Sequence, residues 1–178
     1  MIAIRKDVPK ESESVLSFYH SLIEKMQSRP VRPTWTKGVY PVLGQIISAA
    51  SSNSLLIAVN DGAIIGSVIL TEKADPVYDT AHWSFPAHKA VVVHLLAVDP
   101  DHHGEGIAFL LLSAVRDLAA EWGADAIRLD TLPDNTAARH LYTRFGFRYC
   151  GDISLYYPSA GTIPFSLYDY AVSRNQPS

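Results

Sequence analysis

The spacing of apolar positions changes period repeatedly along the chain, and each change marks an element. Ile2 to Arg5 alternates and predicts a short first strand. Val15, Leu16, Tyr19, Leu22, Ile23 and Met26 then recur at helical spacing, behind Ser12 or Ser14 as a cap. The stretch "SRPVRPTWTKGVYP" holds three prolines and a glycine and predicts a loop before a second helix over Val42 to Ala50. "LLIAVN" and "AIIGSVIL" are β-rich runs joined by Asp61-Gly62, a hairpin signal.

"KADPVYDTAHWSFPAH" (Lys73 to His88) is irregular and aromatic. The following "KAVVVHLLAV" is apolar on both faces, as a central buried strand is. Ile107, Leu111, Ala114, Val115, Leu118 and Trp122 form one helical stripe that Gly123 stops. "AIRLD" predicts a strand. "NTAARHLYTRF" predicts a helix capped by Asn135 and ended by Gly146. "YCGDISLYY" and "FSLYDYAV" predict two closing strands around a Pro/Gly loop.

The resulting order is β-α-α-β-β-β-α-β-α-β-β. Its β-α-β stretch from Val91 to Thr131 implies a right-handed crossover and a parallel pair, whereas the early hairpin is antiparallel. The fold class is therefore α/β (α+β), with a mixed sheet and helices on both faces. No repeat, low-complexity segment or linker interrupts the pattern, so residues 1–178 are expected to form a single domain.

At 178 residues such a domain buries roughly 70% of its unfolded surface. The net charge of −3 comes without any basic run, which argues against a nucleic-acid partner. A single cysteine, Cys150, rules out an intrachain disulfide, fits a reducing compartment and belongs to no nucleophile motif. "MIAIRKDVPKESES" lacks the apolar core of a signal peptide, and "AVVVHLLAV" is too short to span a bilayer. The expectation is a soluble cytoplasmic protein with no membrane partner. Seven histidines raise the question of a metal, but none stands in H-x-x-x-H or Cys/His spacing, so no metal site is expected.

Candidate chemistry begins in "DPDHHGEGIAFLLLSAVRD" (Asp99 to Asp117). Gly104 and Gly106 stand at the mouth of a helix, where glycine costs stability. Either an anion must approach the helix N-terminus closely, or a tight turn needs their dihedrals. The P-loop lysine is missing, and the dinucleotide fingerprint G-x-G-x-x-G ends in Phe109 rather than glycine.

Read as [QR]-x-x-G-x-[GA], the segment His103-Gly104-Glu105-Gly106-Ile107-Ala108 resembles the acetyl-CoA pyrophosphate loop of the GNAT-type N-acetyltransferases, with His103 in the place of glutamine or arginine. "HLLAVDP" resembles that family's fourth strand. "LLLSAVRDLAAEWGADAIRLDT" resembles its central helix and fifth strand. "DNTAARHLYTRFGF" resembles its signature N-x-x-A-x-x-L-Y-x-x-x-G-F, present as Asn135, Ala138, Leu141, Tyr142, Gly146 and Phe147.

The resemblance implies a mostly antiparallel sheet of about seven strands, its central parallel pair splayed apart, and about four helices. It implies an enzyme that transfers acetyl from acetyl-CoA to a primary amine of a small molecule or amino acid, directly in a ternary complex. Pantetheine is expected along Leu96, Ala97 and Val98 and near Asn135 and Ala138. The pyrophosphate is expected on the amides of Gly104, Glu105, Gly106, Ile107 and Ala108, with His103 beside them. Tyr142 is implied as the general acid toward the leaving thiolate; otherwise it is a core tyrosine. Asn135 reads alternatively as a helix cap alone. "HLLAV" resembles the "HVLAV" of arylalkylamine N-acetyltransferases, which implies His94 in the proton-removal path. The companion histidine of that arrangement is Val92 here. Glu72 and Asp130, each at a strand end, are the reserve bases.

Trp35, Tyr78, Trp83 and Phe85 are candidates for an acceptor pocket, with Asp75 and Asp79 to attract an amine. The alternative is that these loops pack their own aromatics. A homodimer through the C-terminal strands fits the pattern. Two other functions stay open: a non-catalytic acyl-CoA-binding or sensor domain on the same fold, and a nucleotide-binding module on a different one.

Overall fold

The computed structural model describes residues 1–157 and 161–172. Its elements are β1 (Ile2–Lys6), α1 (Ser12–Met26), α2 (Leu43–Ser51), β2 (Leu55–Asn60), β3 (Ala63–Thr71), β4 (Ala90–Val98), α3 (Ile107–Glu121), β5 (Ala126–Thr131), α4 (Thr136–Phe145), β6 (Arg148–Tyr157) and β7 (Gly161–Ala171). Periodicity predicted this order element for element. The seven strands run β1-β2-β3-β4-β5-β7-β6. The pairs β1–β2, β2–β3, β5–β7 and β6–β7 are antiparallel and β4–β5 is parallel, so the sheet is mixed and mostly antiparallel.

The described residues gather into two compact units. The first holds Met1–Ile69 and Leu95–Leu111, and the second Leu70–His94, Leu112–Tyr157 and residues 161–172. In the first, Asp61 (φ 49°) and Gly62 (φ 84°) make the two-residue turn with both centres left-handed, the hairpin geometry that matches strand twist. Val15 and Tyr19 of α1, Ile46 of α2, and Leu55 and Ile57 of β2 are fully buried together. Such burial contributes about 1.5–3 kcal/mol for each large aliphatic side chain.

Leu95 is left-handed (φ 55°) in the middle of β4. This is an uncommon conformation for a branched residue and interrupts the strand's regular alternation. The hydroxyl of Tyr19 donates to the Leu95 carbonyl at 2.7 Å. That bond satisfies an acceptor which the kink takes out of line.

In the second unit, Val91 and Val92 are buried. The parallel register runs only from Ala90↔Ala126 to Val92↔Arg128. The pairing of β4 with β5 ends there, while β5 continues against β7 as far as Thr131↔Ser166. One boundary differs from expectation. β7 begins at Gly161 rather than Phe165, taking in residues that composition predicted as loop. Pro164 fits because its stretch lies beyond the Thr131↔Ser166 pair and is paired on the β6 side, opposite Ser154. A strand with one side unpaired tolerates a missing N–H. Residues 158–160 of the expected loop lie outside the described residues.

Candidate active site

The first unit carries the glycine turn. Asp99 Oδ1 accepts the Asp101 amide at 3.0 Å and opens a single 3-10 turn over Pro100–His102. Lys25, in the last turn of α1, donates to both oxygens of Asp99 at 2.8 Å and to Asp101 Oδ2 at 2.6 Å. His103 Nε2 lies 3.1 Å from the Val98 carbonyl. A carbonyl only accepts, so this nitrogen carries the proton. His102 Nδ1 lies 3.1 Å from Glu105 Oε1. These contacts tie the polar side chains of the turn to one another, to the preceding strand and to α1.

Gly104 (φ 89°) and Gly106 (φ 78°) are both left-handed, and a Cβ built on either meets no atom within 4 Å. Backbone conformation demands these glycines, while the space above them is open. The Gly106 carbonyl accepts Leu110 N at 3.1 Å as the first bond of α3. The amides just beyond it therefore lie at the positive end of the helix. Open glycines before a helix start suit a pyrophosphate, so the residues present fit acetyl-CoA.

Further along the chain, the second unit gathers the ionisable groups. His94 is half-buried at the centre of β4. Burial holds its imidazole below the ordinary value, opposed by the Asp130 charge and by a hydrogen bond with the Lys73 backbone. Burial pushes the Asp130 carboxyl up, opposed by the Tyr78 hydroxyl and the His94 charge and reinforced by Asp75. The Tyr78 hydroxyl donates to Asp130 Oδ2 at 2.5 Å. Tyr142 is buried on α4, its ring 5.7 Å from that of Tyr168 and 5.8 Å from that of Phe147. Among the described residues its hydroxyl has no hydrogen-bond partner. Burial, reinforced by Asp130 and Tyr168, pushes the phenol up, so it stays protonated.

Asn135 is the cap of α4, its Oδ1 accepting Ala138 N at 3.2 Å. Glu72, the other reserve base, is exposed and ion-paired with Lys89 at 2.6 Å. Cys150 is half-buried, 3.4 Å from Ser84 Oγ.

The acceptor-pocket candidates are divided between the two units. Trp35 packs edge-on against Tyr19, centroids 5.6 Å apart, in the first unit. Tyr78 and Trp83 pack on each other at 5.1 Å in the second, with Trp83 Nε1 donating to the Tyr78 carbonyl at 3.0 Å. The chain's own cations occupy the aromatic faces: Arg128 lies 4.4 Å over Trp83 and Arg148 4.7 Å over Phe85. These loops do pack their own aromatics. Sequence reasoning missed Lys25 and the Tyr78–Asp130 bond. An acidic pair, Asp99 and Asp101, without a nearby cation was the one signal for the former.

The model of the acetyltransferase (GNAT) family matches residues 18–147, and the chain belongs to that family. The L-2,4-diaminobutyric acid acetyltransferase of Streptomyces anulatus is 31% identical over 113 residues, covering 62% of this chain and 63% of the relative. The curated relatives are matched over only 18% to 63% of their own lengths. Among solved structures, a GNAT-family acetyltransferase from Streptococcus agalactiae superposes with a TM-score of 0.76 at 20% identity, over 96% of this chain and 95% of that one. The yncA protein of Salmonella typhimurium, solved with its cofactor acetyl-CoA, superposes at 0.71 and 14% identity over 100% and 98%. Among the described residues no group of His, Cys, Asp and Glu is placed to hold a metal, and no helix is long and apolar enough to cross a membrane.

Proposed function

We propose that the chain transfers the acetyl group of acetyl-CoA to the primary amine of a small molecule or amino acid, directly and in the cytoplasm. The observation that carries the proposal is the Tyr142 hydroxyl: buried on α4, unpartnered among the described residues, and within the electrostatic reach of Asp130. The small-molecule acceptor is supported by the diaminobutyric acid acetyltransferase relative.

Acetyl-CoA supplies the acyl group as a thioester. The Gly104–Ala108 backbone binds its pyrophosphate, and the β4 residues Leu96 to Val98 run beside its pantetheine. Neutral His94, within the electrostatic reach of Asp130, takes the proton that the amine nitrogen must lose as its bond to the acyl carbon forms. Tyr142 gives its proton to the sulfur as the carbon–sulfur bond breaks. Burial holds the phenol above its ordinary value of about 10, so it is a weaker acid than a free thiol, and its proton passes to sulfur only as carbon–sulfur cleavage builds charge there, the step being completed when the phenol is restored. The proton held by the His94–Asp130 pair then returns through water to restore the phenol, and the sum is amide plus free thiol.

The test is thiol release from acetyl-CoA against polyamines, arylalkylamines, amino acids and peptide N-termini. Release with one class, and an added acetyl group on that amine by mass, is the expected result. CoA binding without release from any class would favour a sensor domain, and no CoA binding would remove the role of the glycine turn.

A further inference from the structure

Tyr78 lies on the irregular segment between β3 and β4, 52 residues from Asp130 in sequence. Nothing about its bond to Asp130 is local, so the segment must be held for the bond to form. Several contacts hold it. Asp75 caps a short 3-10 turn over Pro76–Thr80, accepting Val77 N at 2.9 Å. Trp83 packs on Tyr78 and bonds its carbonyl. The Phe85 amide donates to Asp169 Oδ2 at 2.8 Å. Asp169 is fully buried and stands between Arg128 of β5 and Arg148 of β6 in the strand register. Those two arginines lie over the rings of Trp83 and Phe85. The segment is thus clamped across three strands, and Tyr78 is the side chain through which it reaches Asp130.

We propose that Tyr78 is a positioning residue: its hydroxyl fixes the Asp130 carboxylate and thereby sets how readily the His94–Asp130 pair takes the proton of the amine. This rests on the acetyl-transfer proposal above.

Around Asp130 the charged and titratable groups are Tyr78 and Asp75 from the segment, His94 from β4 and Tyr142 from α4, while β7 places Leu167 opposite it. Tyr78 is the one among them that donates a hydrogen bond to the carboxylate. Its loss removes a donor that favours the charged form, so the Asp130 carboxyl shifts upward. A more neutral Asp130 gives His94 less support, so the imidazole shifts downward.

Loosened packing would move the two groups the other way, carboxyl down and imidazole up, because burial is what displaces them. Tyr78→Phe keeps the ring on Trp83 and deletes only the hydroxyl. Carbon-detected titration of Asp130 and His94 in the free protein is expected to show the carboxyl moving up by about one pH unit and the imidazole moving down. The acid limb of kcat/KM moves down with the imidazole. In an Asp130→Asn background, Tyr78→Phe is expected to leave His94 unmoved. Unchanged titrations in the Tyr78→Phe variant would overturn the proposal, as would a His94 shift that persists in the Asp130→Asn background. Should Tyr78→Phe not fold, the bonded hydroxyl proton of Tyr78 is sought in the wild-type spectrum. Its loss on Asp130→Asn supports the bond, and its absence from the wild type overturns it. The titrations need no acceptor, so failure to find acetyl transfer remains a separate result.

Discussion

The glycine turn and the His94–Asp130–Tyr142 cluster meet their tasks by opposite means. In the turn, the working groups are backbone amides, and the side chains of Asp99, Asp101, His103 and Glu105 all have bonds that brace the loop or one another. In the cluster the residues stand on strands and a helix, and the working groups are side chains whose proton affinities burial has moved. An anion of several oxygens is matched by fixed dipoles that need no titration. Proton transfer needs groups that titrate, and only burial and neighbours tune those.

The largest effect separating the two is expected at Tyr142. Tyr142→Phe is expected to lower kcat by about 10²- to 10⁴-fold, the usual worth of a general acid, with acetyl-CoA affinity within a few-fold. An unchanged kcat in single-turnover measurements would remove Tyr142 from the mechanism.

Gly106→Ala is the matching change in the turn. A left-handed alanine costs about 1–2 kcal/mol, read as a lower denaturation midpoint. Acetyl-CoA binding is expected to weaken more than kcat falls. Gly62→Ala is the control, because its φ of 84° carries the same strain in a hairpin. It is expected to lose similar stability and bind acetyl-CoA unchanged by calorimetry. Equal binding losses in both would make the turn's glycines merely structural.

The pH profile tests the side-chain half. Burial lowers the His94 value, so the neutral, proton-accepting form persists as pH falls below the ordinary 6.5. The acid limb of kcat/KM is therefore expected below about pH 6.5, and to be lost in His94→Gln. A limb well above that value would transfer the base role away from His94.

The smallest effect is expected at Lys25. It is exposed, so its pairing with Asp99 and Asp101 is partly screened. Lys25→Met leaves two carboxylates uncompensated beside the turn and is expected to weaken acetyl-CoA binding a few-fold, more at low salt than at high. A salt-independent change would mean that the lysine acts through shape rather than charge.

Much of this was legible in local patterns. Asp61-Gly62, Asn135 as a cap, and Gly104 and Gly106 before α3 are local because dihedrals and helix ends are satisfied within a few residues. The candidate chemistry at His94 and Tyr142 was legible because a polar residue in an apolar strand and a family signature both stand out in one dimension. The start of β7 was not, since Pro164 signals a loop unless one knows which side of the strand is unpaired. Nor was the kink at Leu95, where an unbroken apolar run conceals a left-handed residue bonded to Tyr19 on a distant helix.

Short-range rules of periodicity, capping and backbone freedom dictated the order of elements, the parallel pair and the glycine turn before any contact was known. It took the folded chain to bring Lys25 onto the acidic turn, to lay the aromatic segment against the protein's own arginines, and to carry Tyr78 to Asp130. Those pairings join residues tens of positions apart, and their energies depend on burial and distance, which exist only once the chain has closed on itself.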